Sequence, residues 1–228
     1  MNEQVLADGL ISFVCFIIIV TFHEWGHAWT ALKFGDDTAY QMGRVSLNPA
    51  AHIDAFGTII FPLASVLFAA TGFGGIAGLL LGWGRPVPVN LSRLKNRFWA
   101  DIIVSLAGPI MNLVLVLIAL PLMWIAQHFN QKMVVEFGTD LVRLSLFLFF
   151  FNMLPIPPLD GSRVARRLVG MKEETFAKIA QYGIYMLIIA INIPPIMIGL
   201  VLATEISSLV LGRMFGLPLS EINLGQIG

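Results

Sequence analysis

The sequence predicts an all-α polytopic membrane protein with about five transmembrane helices plus a re-entrant hairpin, or six helices, and short β-like segments near the cytoplasmic side. The first observation is composition: of 228 residues, 57% are hydrophobic and only 12% are charged. The mean hydropathy is +0.82. A soluble domain of this size would need far more charge to cover its surface. We expect residues 1–228 to form a single membrane-embedded domain.

The second observation is the length of the apolar stretches. A spanning helix needs about 20 mostly apolar residues, because a rise of about 1.5 Å per residue must cover roughly 30 Å. The stretches that meet or approach this length are residues 6–32, 56–83, 100–126, 141–154 and 176–211. The last is too long for one span, and the sequence Asn-Ile-Pro-Pro at 192–195 predicts a turn that divides it. The first lacks a basic leader and a cleavage site, so we expect it to remain as a span.

The third observation is where Lys and Arg lie. They are concentrated in residues 84–99 and 159–178, whereas residues 127–140 contain only Lys132. Since basic loops favour the cytoplasm, the two basic segments are predicted to be cytoplasmic, and the N-terminus and the 192–195 turn to be outside. We expect a multi-pass protein of a cell membrane, the plasma membrane of a bacterium.

The stretch at residues 56–83 has basic residues on both flanks, Lys33 and Arg44 before it and the 84–99 segment after it. Both of its ends are therefore predicted to be cytoplasmic, yet two full crossings do not fit in its length. A re-entrant hairpin with its glycine-rich tip at residues 71–75 inside the membrane satisfies both facts. A single full crossing is the alternative.

The motif HEWGH at residues 23–27 carries the chemistry. Positions i and i+4 share one helix face, so His23 and His27 can bind one ion with Glu24 beside it. Zinc binds imidazole nitrogen and keeps one position open in catalytic sites. A chance match is the alternative, but ionisable groups in a membrane helix are costly unless something compensates them. The motif begins 13 residues after Leu10, about 20 Å along the helix, so the predicted zinc site lies within the membrane towards the cytoplasm.

A third ligand must come from elsewhere in the chain, and the candidate is Asp160. Three prolines at positions 155, 157 and 158 should unwind the fourth span at the depth of His23, where an extended segment can direct a carboxylate inward. Alternatively, Asp160 is the N-cap of a basic helix that follows it. The residues alone leave these two interpretations open.

Together, HEWGH at 23–27, AGPIMN at 107–112 and NMLPIPPLDG at 152–161 resemble the site-2 protease family of intramembrane zinc metalloproteases. Segments 43–49 and 82–89 are similar to the short bacterial type without PDZ or CBS domains. The resemblance covers about residues 8–168. It implies Zn2+ as cofactor, Asp160 as third ligand, Glu24 as catalytic base and Asn152 near the scissile bond.

The predicted function is an intramembrane zinc metalloendopeptidase that cleaves transmembrane segments of single-pass membrane proteins or peptides by metal-activated water. The alternatives are a metal-ion transporter or a non-catalytic zinc-binding membrane protein. A transporter needs ligands on both sides of the membrane, whereas here they cluster on one. A structural site would not require Glu24. The lipid bilayer is an expected partner, and zero net charge gives no indication of nucleic-acid binding.

Other polar residues keep two interpretations each. Asn152 or Asn112 could donate to the tetrahedral intermediate or simply bond neighbouring helices, and Asn152 is preferred because it adjoins the unwound segment. His52 could act at the site, as a gate or as a ligand in a resting state, or be a surface residue. Segments 42–47 and 85–91 could be strand edges that pair with substrate, or turns.

Overall fold

A computed structural model describes residues 2–72 and 82–219, which fold into nine α-helices with no β-strand among them. A 3-10 turn at Pro49–Ala51 and a π-helical segment at Ala55–Ile60 precede the third helix. The predicted all-helical class is confirmed. The helices are α1 Glu3–Lys33, α2 Thr38–Gln41, α3 Phe61–Ala70, α4 Arg97–His128, α5 Lys132–Asn152, α6 Asp160–Leu168, α7 Glu173–Ala180, α8 Gly183–Ile191 and α9 Pro194–Phe215.

Helices α1, α4 and α9 are long and apolar enough to cross a membrane. Helices α7 and α8 form a pair bent by 59°, which is either a broken span or a re-entrant loop. Helix α5 has the length of a span, but the stretch from its start to Arg143 carries four charged residues, Lys132, Glu136, Asp140 and Arg143. The multi-pass character is confirmed, while the count of five or six crossings stays a prediction.

Helices α1, α4 and α5 form the centre of the bundle. The backbones of α1 and α4 come close at Gly26, where an added Cβ would lie 2.8 Å from the carbonyl oxygen of Ala107 and 2.5 Å from Cγ of Met111. Glycine is therefore required here for steric reasons. Since Gly26 lies within the motif at 23–27, this contact sets the distance between the two histidines and α4.

The end of α9 folds back into the bundle. Gly216, with φ +63, reverses the chain, and the residues after it join a buried core between α4 and α5. That core contains Val116, Ala119, Leu120, Met123, Val142, Leu146, Leu217 and Leu219. Gln127 Nε2 donates to the carbonyl of Gly216 at 3.2 Å, and Arg143 Nη2 donates to that of Leu219 at 3.1 Å. The C-terminal end of α9 therefore lies beside the α4–α5 connection.

This arrangement corrects one expectation about topology. If the α4–α5 connection at residues 127–140 is outside, the end of α9 is outside as well, and the turn at 192–195 lies at the opposite, cytoplasmic end. The predictions that the 127–140 connection and the 192–195 turn are both external therefore cannot both hold. The turn contains no Lys or Arg, so the distribution of positive charge held no information about it.

The stretch at residues 56–83 begins and returns near the HEWGH end of α1, as a hairpin would. An added Cβ on Gly84 would lie 2.5 Å from Cγ1 of Val20. The first half of this stretch nevertheless extends along the full length of α1. At its end the carbonyl of Ala70 accepts a hydrogen bond from the backbone N–H of Asn2, just before the start of α1, at 3.0 Å. Of the expected tip at 71–75, residues 73–75 lie outside the described part of the chain.

Neither segment predicted to be β-like is assigned as a strand in the described residues. In segment 85–91, Pro86 and Pro88 have no N–H to donate. The N–H of Arg85 donates to the carbonyl of His52 at 2.8 Å, and that of Val87 donates to a side chain of α1. Two of the donors of a pairing edge, those of Arg85 and Val87, are thus already engaged, and substrate pairing with this segment stays a prediction.

Candidate metal centre and active site

Three predicted ligands converge on one point. Nε2 of His23 lies 3.1 Å from Oδ2 of Asp160 and 3.1 Å from Nε2 of His27, which in turn lies 3.3 Å from the same carboxylate oxygen. Ligands of a tetrahedral zinc ion at about 2.0–2.1 Å are separated from one another by about 3.3–3.4 Å. The spacing of these atoms therefore fits one zinc ion.

The orientation of His27 is fixed from α4. Its Nδ1–H donates to the backbone carbonyl of Val104 at 2.7 Å, so the lone pair of Nε2 faces His23 and Asp160. Metal-binding histidines in proteins almost always donate their second ring nitrogen in this way, which sets the tautomer and the ring plane. The hydrogen bond shows that the His27 ring is prepared for a ligand role.

Asp160 reaches the histidines from the first turn of α6. Leu159 occupies the N-cap position of that helix, and no side chain makes a capping hydrogen bond there. The Asp160 carboxylate faces His23 and His27 instead. Of the two interpretations left open by the sequence, the geometry favours a ligand over a cap.

Gly108 of α4 leaves room for the two imidazoles. An added Cβ would lie 2.5 Å from Nε2 and 2.7 Å from Cε1 of His23, and would also overlap His27. Sequence reasoning gave this residue no role. A signal was available, because glycine inside a helix costs about 0.5–1 kcal/mol relative to alanine and so needs a packing reason.

A buried ion-pair network attaches α6 to α4. Asp101 of α4 accepts hydrogen bonds from Arg166 and from Arg167, the latter at 2.5 Å, and Arg166 also pairs with Glu173 at 2.6 Å. Asp101 and Arg166 are only 2% and 3% exposed. Sequence reasoning missed this network, although an acid at the start of an apolar span is a recognisable signal. The network fixes the helix that begins with Asp160.

Glu24 lies beside the cluster and is held by a segment distant in sequence. Its Oε2 accepts a hydrogen bond from the backbone N–H of Val87 at 2.9 Å. Arg44 Nη2 donates to the preceding carbonyls, those of Arg85 at 2.6 Å and Pro86 at 3.1 Å. Arg44 is buried, so it anchors this segment against the base.

His52 is buried rather than on the surface, and it lies outside the cluster formed by the three ligands. Its Nε2–H donates to the carbonyl of Ser46 at 2.7 Å, and its own carbonyl accepts from Arg85. Burial lowers the pKa of His52, which favours the neutral ring. These contacts support a role for His52 in positioning the segment around Arg85 and Val87 next to Glu24.

The ligands and Glu24 open on a cavity of about 310 Å³ that Asn112 and Asn152 also line. The two amides differ in their hydrogen bonds. Nδ2 of Asn152 donates to the carbonyl of Leu148 in its own helix at 2.9 Å. Asn112 is fully buried, and neither amide atom bonds any group in the described residues. The structure brings both residues to the site. Asn112 has more hydrogen-bonding groups without a partner than Asn152 has.

Two histidines and a carboxylate with an adjacent glutamate are typical of metal-dependent hydrolases, and here they lie among helices long and apolar enough to span a membrane. A family model described as peptidase family M50 matches residues 11–142 and 125–191. The chain belongs to peptidase family M50, the site-2 protease family, as the motifs predicted.

Named relatives agree with this assignment. The chain is 41% identical over 170 residues to "Putative zinc metalloprotease YwhC" of Bacillus subtilis, covering 71% of each. It is 30% identical over 184 residues to "Putative zinc metalloprotease Rip2" of Mycolicibacterium smegmatis, covering 78% of this chain and 65% of the relative. For Rip2 of Mycobacterium tuberculosis the identity is 29% over 161 residues, covering 69% and 54%. No solved structure matches the chain.

The chain is thus a zinc metalloprotease of the membrane, and the predictions of enzyme class, cofactor and multi-pass location are confirmed. Neither the family nor the relatives favour a metal transporter or a non-catalytic zinc protein.

Proposed function

We propose that this protease cleaves transmembrane segments of single-pass membrane proteins or peptides inside the bilayer, with His23, His27 and Asp160 as zinc ligands and Glu24 as base. One observation carries the proposal: the three ligand atoms and the Glu24 carboxylate line one cavity. That cavity lies between α1 and α4, two helices long and apolar enough to span. Its position between these two helices supports access for a peptide from within the membrane.

When bound by His23, His27 and Asp160, zinc would polarise the scissile carbonyl and lower the pKa of a water molecule towards about 7. Glu24 takes the proton of the attacking water. Because Oε2 already accepts from Val87, Oε1 is the atom that receives the proton and later transfers it to the leaving amine nitrogen. Gly84 keeps space beside that atom, since an added Cβ there would lie 3.5 Å from Oε1.

The substrate helix must unwind before it is cut. In a helix the scissile carbonyl is bonded to an N–H four residues away, and side chains screen it. Freed backbone groups need new partners where water is scarce. We expect substrates with Gly, Pro or Asn near the cut, within a few residues of the cytoplasmic boundary. Since Pro86 and Pro88 lack N–H groups, segment 85–91 would offer substrate mainly carbonyl oxygens.

The test is cleavage in a defined membrane. Purified protein is reconstituted in lipid vesicles with a synthetic transmembrane peptide that contains a Gly-Pro pair near its cytoplasmic end. Wild type should cleave the peptide, and Glu24→Gln should keep its zinc but lose cleavage, because the amide cannot accept the proton. Substantial proteolysis by Glu24→Gln would remove Glu24 from this role.

The position of the substrate is tested in the same Glu24→Gln protein, which should hold the peptide uncut. A photocrosslinking residue at Val89 should capture it if segment 85–91 lies along the substrate. If crosslinks form only from α4 and α5, substrate does not pair with this segment.

A further inference from the structure

Helix α4 presents two more polar side chains to the catalytic cavity, Ser105 and Asn112, one on each side of Gly108. The spacing of i, i+3 and i+7 places these three residues on one helix face. Gly108 is where α4 touches the imidazoles of His23 and His27. The two polar groups therefore flank the metal centre along the axis of α4.

Both side chains are buried without an internal partner. Asn112 is 0% and Ser105 is 2% exposed. The Asn112 amide nitrogen and oxygen and the Ser105 hydroxyl make no hydrogen bond to any group in residues 2–72 and 82–219. Most buried polar groups in proteins are hydrogen-bonded, so three such atoms at one cavity require an explanation.

Three other polar residues in the helices of this protein make a hydrogen bond within their own helix. The Thr21 hydroxyl donates to the Ile17 carbonyl at 2.7 Å, and the Thr204 hydroxyl donates to that of Leu200 at 2.9 Å. Asn152 bonds in the same i to i−4 manner, a common solution for short polar side chains. Ser105 and Asn112 do not, which leaves their donors and acceptors without a partner in the wall of the cavity.

We propose that Asn112 and Ser105 bind the unwound backbone of the substrate on the two sides of the scissile peptide bond. This rests on the proposed function, since it assumes a peptide in the cavity. An amide side chain offers both a donor and an acceptor, which match the C=O and N–H of a peptide chain. The Ser105 hydroxyl can donate to a carbonyl. Both residues would bind main-chain atoms of the substrate rather than its side chains. This suits an enzyme that holds extended segments of varied sequence.

The spacing suits an extended chain. Asn112 lies seven positions after Ser105, about 10.5 Å along a helix axis. A strand rises about 3.3 Å per residue, so this distance matches about three substrate residues. The scissile bond then lies between the two contacts, next to Gly108 and the ligands. With α4 running outward from its basic start, Asn112 contacts the outer side of the cut and Ser105 the cytoplasmic side.

The first experiment compares Asn112→Leu, which keeps the volume and removes the amide, with Ser105→Ala and wild type on the transmembrane peptide in vesicles. Ser145→Ala is the matched control, because Ser145 is equally buried, also unpaired among the described residues, and lies away from the cavity on α5. Each variant should retain one zinc per chain. We expect kcat/KM to fall about tenfold for Asn112→Leu, equivalent to about 1.4 kcal/mol, and to be unchanged for Ser145→Ala.

The second experiment tests the proposed hydrogen bond between Asn112 and the substrate backbone. A series of peptides replaces one backbone N–H with an ester oxygen at each of three positions on the outer side of the cut. One ester should slow wild type about tenfold, as expected for one lost hydrogen bond, and should slow Asn112→Leu no further. Equal effects of every ester on both proteins, or an Asn112→Leu protein as active as wild type, would overturn the proposal. Loss of zinc from Asn112→Leu would also overturn it, since the residue would then support the metal site.

Failure of this backbone-binding role can be distinguished from failure of the proposed intramembrane activity. If wild type cleaves no transmembrane peptide, the intramembrane activity is wrong whatever Asn112 does. If wild type cleaves and Asn112→Leu cleaves equally well, only the backbone-binding role is wrong.

Discussion

The backbone N–H of Val87 donates to Oε2 of Glu24 across 2.9 Å. The predicted base on α1 is thus oriented by a segment more than sixty residues away, which Arg44 in turn anchors through the carbonyls of Arg85 and Pro86. This contact separates two functions of the site. The candidate metal ligands lie on α1 and α6, with α4 packed against the two histidines, whereas the predicted base contacts the segment around Gly84.

Gly84→Ala should impair the base and spare the metal. The added Cβ would lie 2.5 Å from Cγ1 of Val20 and 3.5 Å from Oε1 of Glu24, so the segment must shift. We expect kcat to fall at least about tenfold, equivalent to about 1.4 kcal/mol in activation free energy, while one zinc per chain remains. Metal analysis and peptide cleavage on the same preparation check this. A variant with normal kcat would show that the segment does not orient Glu24.

Gly108→Ala should do the opposite and remove the metal. Its Cβ would overlap the ring nitrogens of His23 and His27, so the imidazoles cannot keep their positions. The matched control is Gly199→Ala on α9, where nothing lies within 4 Å of the added Cβ and the change favours the helix by up to about 1 kcal/mol. We expect zinc loss in Gly108→Ala and full zinc content in Gly199→Ala. Normal zinc content in both would contradict the packing that we describe.

Asp160→Asn distinguishes a ligand from a helix cap. A neutral amide is a poorer zinc ligand than a carboxylate, but asparagine caps a helix about as well as aspartate. We expect weaker zinc binding with little change in thermal stability of the zinc-free protein. Competition with a zinc chelator measures the affinity. Unchanged affinity together with unchanged activity would support the capping role instead.

Asp101→Asn should loosen α6 and with it the third ligand. The change leaves Arg166 and Arg167 without their buried carboxylate, and removing one partner of a buried pair costs about 3–5 kcal/mol. Asp37→Asn is the control, since Asp37 pairs with Arg93 at the surface, where such pairs are worth about 0–1 kcal/mol. We expect a lower melting temperature and weaker zinc binding for Asp101→Asn only. Equal behaviour of the two variants would remove Asp101 from the support of the site.

The parts of the site that depend on local sequence were predictable. His23 and His27 share one helix face by spacing alone, with Glu24 next to His23, and the prolines before Asp160 mark where a span must unwind. Long-range contacts were not predictable. Nothing in the sequence pairs Val87 with Glu24 or Asp101 with Arg166, because hydrophobic periodicity reports which face is buried and not which partner covers it.

In the membrane topology, too, local features were predictable from the sequence and long-range contacts were not. The apolar stretches correctly predicted α1 and α4, and the Asn-Ile-Pro-Pro sequence at 192–195 correctly predicted the break before α9. The sequence did not predict that the end of α9 lies beside the α4–α5 connection, because the contact of Gln127 with Gly216 that places it there is tertiary. The preference for Asn152 over Asn112 also relied on nearness in sequence to the unwound segment, whereas free hydrogen-bonding capacity depends on what each amide contacts.

The most direct test of the account is the zinc content of purified protein in which each histidine is changed in turn. Wild type should bind one zinc per chain, and His23→Ala and His27→Ala should lose it. His128→Ala, an exposed histidine at the end of α4, should keep it. Full zinc content in both His23→Ala and His27→Ala, or equal loss in His128→Ala, would contradict a metal centre built on the HEWGH motif.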